Sequence, residues 1–201
     1  MISRFFGNPG SKGTAYPVAA DEKVRLRGFA MLVALGDQPA ATSAWRSALD
    51  AAARRRQPLR HPAGWIRRRI MRRLDHGLWA HVERRLPAAS EELDVERRAT
   101  LRAFGASDAV ISGLRALSVR ERAAVVAQEI EHLDAADIGE MLGRKDAALL
   151  RFLAHALSRY VRGAETVLAE EPWARRQAGG EIARRVTEAA DRAAGLDKVS
   201  A

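Results

Sequence analysis

The chain has 201 residues, a formal net charge of +9 at pH 7 (34 Lys and Arg against 25 Asp and Glu) and 47% hydrophobic residues. That is enough apolar matter for one core or two small ones, and the positive balance points to a polyanion as partner. With no cysteine there is neither a disulfide framework nor a thiolate metal site, which suits a cytoplasmic protein, and no apolar run is long enough for a membrane span.

Residues 1–20 are rich in Gly and Pro without periodicity and read as a disordered lead. The opening MISRFFGNPGSKGTAYP lacks the apolar core of a signal peptide. From 22 to 74 the apolar period is helical. Leu26, Phe29, Ala30, Leu32 and Val33 make a helix that stops at Gly36-Asp37. Pro39 suits the first turn of the next, over 40–55, which would bury Ala41, Trp45, Ala48, Leu49 and Ala52. After a joint at 58–62 comes a helix over 65–74 with Trp65, Ile66, Ile70 and Leu74 inward. No acid occurs between Ala51 and Leu74, whereas Arg54, Arg55, Arg56, Arg60, Arg67, Arg68, Arg69, Arg72 and Arg73 are basic. Such a block is an electrostatic footprint for a phosphate backbone.

Residues 76–108 read as a linker. Leu78, Trp79 and Val82 extend a helix toward Pro87, a new helix starts at Ser90 with Glu91 and Glu92 in its first turn, and Phe104-Gly105 close it. A short lead helix over 109–117 then opens a run of three. Val125, Val126, Ile130 and Leu133 line the first. Asp134 offers an N-cap to the second, whose apolar set is Ile138, Met141 and Leu142, and Gly143 permits a tight turn. The third carries Leu149, Leu153 and Leu157 on one side and Ala148, Arg151, His155, Arg159 and Arg162 in a separate stripe. A short helix, a glycine-bearing turn and a longer basic-striped helix are what a helix-turn-helix reader of the major groove needs. Lys145, Arg151 and His155 are the candidates for the groove, and Arg144, Arg159 and Arg162 for phosphates. Beyond 163 the last helix runs on, breaks at Pro172 and Gly179-Gly180, and leaves Trp173 and an Ala-rich stretch over 181–194. That extension suits docking of a partner regulator.

The order Leu117, Arg120-Glu121-Arg122, Val125-Val126, Asp137-Ile138, Leu142-Gly143-Arg144 and then Leu149 through Leu157 resembles the fourth conserved region of sigma-70 family initiation factors, of the small extracytoplasmic-function type. The run LRGFAMLVALGDQPAATSAWRSALDAA resembles the helix pair with which that family grips the polymerase clamp, and HPAGWIRRRIMRRL its promoter-opening helix. The resemblance implies an all-α chain of two small helical domains, a region-2-like one over 21–75 and a region-4-like helix-turn-helix one over 109–163. Residues 76–108 form the helical linker, 1–20 a flexible lead and 164–201 a helical C-terminal extension. It implies RNA polymerase core (clamp and flap) and DNA as partners, with Ser43, Arg46, Leu49 and Asp50 at the polymerase contact. Arg60, Trp65, Arg67, Arg68, Arg69, Arg72 and Arg73 would lie on the helix that faces nucleic acid.

The expected function is direction or activation of transcription of specific genes. Two departures shift weight toward a sigma-like antiterminator that acts on polymerase after initiation, as in phage-derived or gene-transfer-agent type clusters. Ser43 and Arg46 stand where the family has an acid and a glutamine. Trp65 stands alone where several aromatics would stack a flipped base. A third reading, a mimic of sigma that binds no DNA and sequesters a regulator, calls for an acidic face.

Catalysis finds little support in the chain. Glu129-Ile130-Glu131-His132 has the spacing of two metal ligands on one helix face, but carboxylate-bridged bundles need a second copy and none exists. His76 and His81 share no helix face, and no glycine-rich loop follows a strand. The sequence reads as a non-enzyme without metal or cofactor, and His132 as a helix-end residue.

Overall fold

A computed structural model describes residues 18–55, 57, 59–82, 93 and 95–168. Among them the chain is all-helical, with no strand: α1 (Ala20–Val33), α2 (Gln38–Ala53), α3 (Pro62–Val82), α4 (Val95–Ala103), α5 (Asp108–Arg115), α6 (Val119–Val125) running into a π turn (Val126–Ile130), α7 (Ala135–Leu142) and α8 (Asp146–Leu168). No described helix is long and apolar enough to cross a membrane.

The last two turns of α1 are buried almost all round, through Leu26, Phe29, Ala30, Met31, Leu32 and Val33. A helix of that kind belongs in the middle of a core, and α1 touches α2, α3, α6 and the π turn. Asp37 ends the turn that follows: its Oδ1 accepts the Ala40 N–H at 3.0 Å, capping α2, and its Oδ2 accepts from Arg97 of α4 at 2.7 Å. Along α2 the buried residues are Ala41, Ala44, Ala48 and Ala52, a stripe of small side chains that brings its backbone close to α1 and α3. Trp45 and Leu49, expected inward, lie half-buried at its edges.

Helix α3 starts three residues earlier than the apolar pattern predicted, with Pro62 at the first position, where a missing N–H costs nothing. Ile66, Ile70, Met71 and Leu74 face inward. One side of α3 packs on α2 and another on α7. The expected division into a 21–75 unit and a 109–163 unit therefore meets a shared interior. One continuous apolar cluster runs from Leu26 and Phe29 through Ile66 and Ile70 to Val126, Ile138, Met141, Leu149 and Leu153. The helix start expected at Ser90 and everything expected beyond 168 lie outside the described residues, as does the lead up to residue 17.

In the second half, Ser118 and Glu121 form a reciprocal capping box at the start of α6. The helix gains one residue in its π turn, where the Glu131 N–H reaches the Val126 carbonyl at 3.0 Å. It ends as the Leu133 N–H bonds back to Ala127 at 3.0 Å around His132, which adopts a left-handed φ of 52°.

Candidate nucleic-acid interface

Helix α7 opens on Asp134, whose Oδ1 accepts the Asp137 N–H at 2.7 Å. It closes on Gly143, at φ 66° and ψ 34°, a conformation that a side chain would make costly. Residues 143–145 form the whole turn before α8 begins at Asp146. Ile138 and Met141 of α7 and Leu149 and Leu153 of α8 are buried, so both helices are fixed on the common core.

The outer face of α8 and the turn before it carry most of the predicted reader residues. Lys145 and Arg151 are exposed and have no partner among the described residues. Arg162 is exposed and, among the described residues, donates only to the Ser158 carbonyl in its own helix, at 3.4 Å. The Arg144 guanidinium lies over the Phe152 ring, 4.6 Å from its centre. His155 is exposed, with Nε2 3.6 Å from Glu121 Oε1. Two large apolar side chains, Leu150 and Val161, share this face in the open. Arg159 requires a correction. Rather than waiting for a phosphate, it donates to both Glu121 oxygens at 3.0 and 2.9 Å and to the Ala116 carbonyl at 2.6 Å, tying α8 to α6.

The larger correction concerns Arg67. It was expected on the phosphate-facing side of its helix, yet its side chain is 1% exposed. Its Nε and Nη2 grip Glu131 at 2.6 and 2.7 Å, and Nη1 donates to Glu22 at 2.7 Å. It also sits over the Phe29 ring. Burial works against this guanidinium, but hydrogen bonds and charge from Glu131 and then Glu22 outweigh it, so the group is held firmly charged. Burial, and then Glu22, push the Glu131 pKa above its ordinary value even though Arg67 pulls the other way. Arg68 is half-buried and pairs with Glu140 at 3.2 Å. Trp65 is half-buried, with the guanidinium groups of Arg55 and Arg69 over its ring at 4.9 and 5.2 Å. Arg54, Arg60, Arg69, Arg72 and Arg73 of the expected phosphate footprint remain exposed. On α2, Ser43, Arg46 and Asp50 form an exposed row, while Leu49 packs against the core.

What joins the halves was not foreseen. Gly64, in the first turn of α3, has an N–H that no carbonyl within its own helix can take, and Asp137 Oδ1 of α7 accepts it at 2.8 Å. Arg122 of α6 is buried and donates to the Val33 carbonyl at the end of α1 (2.6 Å) and to Leu117 (3.2 Å), satisfying a helix C-terminus with a cation. Burial pulls its pKa down to about 10, which leaves it charged at neutral pH. At the surface Arg120 meets Asp75 at 3.0 Å. None of these long-range contacts carries a local signal; the missed feature that does is the Ser118-to-Glu121 spacing of a capping box at the start of α6. Glu129 and His132, weighed for their metal-ligand spacing, are both exposed, and no group of three or more possible ligands occurs among the described residues.

Glu121 gives a pH prediction. Burial opposes its charge, but the Ser118 hydroxyl and backbone N–H and then Arg159 overcome that, and its pKa lies below the ordinary 4.5. A depressed carboxylate contributes stability that is complete above its unfolded pKa and lost as pH falls through the folded one. Glu131, with a raised pKa, has the opposite sign. Comparing urea midpoints of the parent and Glu121→Gln between pH 7 and pH 3 isolates the first effect. The gap between them should narrow below pH 4.5, and a gap that stays constant would contradict it.

No family model matches this chain, and no curated protein or solved structure is similar to it. The geometry alone defines the class: an all-helical protein in which two helices joined by a three-residue turn share one core with a strongly cationic helix.

Proposed function

We propose that this chain is a sigma-like transcription regulator that binds RNA polymerase and DNA to direct or activate transcription of specific genes. The observation that carries the reading is the outer face of α8 and the turn before it, where Arg151 and Arg162 on the helix and Lys145 in the turn stand exposed without carboxylate partners among the described residues, directly after a short helix. That is the placement a major-groove reader requires, and the overall charge of +9 supplies the attraction. On this reading Arg151 and His155 enter the groove with Lys145 at its edge, within reach of the backbone that Arg144 and Arg162 hold, and Ser43, Arg46 and Asp50 meet the polymerase in the cytoplasm.

Retention on a column of purified polymerase core at low salt is expected, and passage straight through would remove the proposal. Arg151→Ala should weaken binding to a preferred duplex by about 1–3 kcal/mol and leave random duplexes much less affected. Equal losses on both would strip Arg151 of a reading role.

A second reading has an observation in its favour. Arg67 is committed to an internal ion cluster and the Trp65 ring is covered by two guanidinium groups, which leaves little on α3 to hold a flipped base. This favours a factor that rides on polymerase after initiation. Transcripts lengthened through a terminator from an unrelated promoter would select antitermination; more initiation at one promoter would select the first reading. A mimic that only sequesters a regulator would need an acidic face, and the exposed sides of α3 and α8 are cationic.

A further inference from the structure

The turn after α7 lies directly against α3. A Cβ on Gly143 would stand 3.6 Å from Nη2 of Arg68, and Arg68 also donates to the Glu140 carbonyl at 3.4 Å and carboxylate at 3.2 Å, which fixes its guanidinium beside the turn. Arg72 follows one helical turn along α3, exposed and unpartnered among the described residues. Arg144 and Lys145 follow Gly143, the first steadied on the Phe152 ring. Cations from α3 and from the turn before α8 therefore line one edge. Glu140 offsets Arg68, but Arg72, Arg144 and Lys145 leave the edge with surplus positive charge, which attracts a polyanion.

We infer that this edge is a composite grip for a single stretch of duplex phosphate backbone, with Arg68 and Arg72 of α3 and Arg144 and Lys145 of the turn holding it together while the halves stay docked. The inference rests on the nucleic-acid reading above. A duplex fits better than a single strand. Fixed cations on a rigid frame match regularly spaced phosphates, whereas single strands need an open aromatic platform, and Trp65 is already covered.

The test is fluorescence anisotropy with a random-sequence DNA duplex across a salt series. Arg72→Gln and Lys145→Gln should each make the slope of log affinity against log salt shallower by about one, while Arg102→Gln, whose side chain pairs with Asp108 on α5, should leave it unchanged. Because the native chain has no cysteine, Asp75→Cys with Arg120→Cys can be bridged by a short bis-maleimide across the α3–α6 contact without background labelling. The bridged protein should keep the parent affinity and slope. A slope that responds to Lys145→Gln but not to Arg72→Gln would overturn the composite edge. Lost binding in the bridged protein would overturn the docked state, and tighter binding to a single strand of equal length would overturn the duplex. If the parent chain binds no nucleic acid even at low salt, the functional proposal itself falls, a result distinct from the other three.

Discussion

Gly64→Ala is expected to destabilise the protein by about 3 kcal/mol, although alanine is the better helix former. Within α3 the change alone would gain roughly 0.5–1 kcal/mol. Against that, the new methyl would lie 2.8 Å from the Asp137 carbonyl carbon and closer still to its oxygen. These are backbone atoms that cannot swing aside. Overpacking of this kind costs about 1–3 kcal/mol, and pushing α7 away also breaks the Gly64 N–H bond to a carboxylate, worth about 1.5–3 kcal/mol. Gly28 of α1 is the built-in comparison: it is interior to a helix and a Cβ there would meet nothing within 4 Å, so Gly28→Ala should stabilise. Urea midpoints of the two variants moving in the same direction would show that α3 and α7 are not in contact in solution.

Removing one member of the buried ion cluster should have an effect at least as large. Glu131→Ala leaves a guanidinium that is 1% exposed with Glu22 as its remaining carboxylate, and breaking such a pair costs about 3–5 kcal/mol. Most of that is the penalty of leaving the buried Nε and Nη2 groups of Arg67 without an acceptor, since Glu22 takes only Nη1. Replacing both at once, Arg67→Met with Glu131→Leu, should therefore recover most of the loss and bring stability near the parent's. A single variant within about 1 kcal/mol of the parent would mean the cluster is open to water. A double variant as unstable as the single one would mean that Arg67 contributes shape as well as charge, through its stacking on Phe29.

The elements that sequence resolved are those with local causes. Asp134 caps α7 through an N–H three residues on, and Gly143 ends it in a left-handed turn; both are short-range chemistry, and both were legible. The apolar sets of α1 and α3 were legible because burial recurs at helical spacing. Arg67 was not, since nothing near it in the chain distinguishes a guanidinium bound for the interior from its neighbours Arg68 and Arg69. Its acid stands 64 residues away. The same holds for Arg159, which sits in register with the exposed stripe of Arg151, His155 and Arg162 but meets Glu121 on α6. The π turn was equally hidden, because one surplus residue in a helix leaves no mark on the apolar pattern until a long-range partner fixes the phase of Glu131. Of the expected reader residues, Lys145, Arg151 and Arg162 stayed at the surface without a carboxylate among the described residues, whereas His155 is exposed beside Glu121.

The seam between the halves is made of side chains from distant segments: Asp137 on Gly64, Glu131 on Arg67, Arg122 on Val33, and Arg97 reaching back to Asp37. None of these depends on the peptide that joins residue 82 to residue 95. A cut there would leave all four contacts available to the two pieces. Severed at that point and co-expressed, the two pieces should recombine into a working heterodimer, which makes this chain a ready-made split reporter.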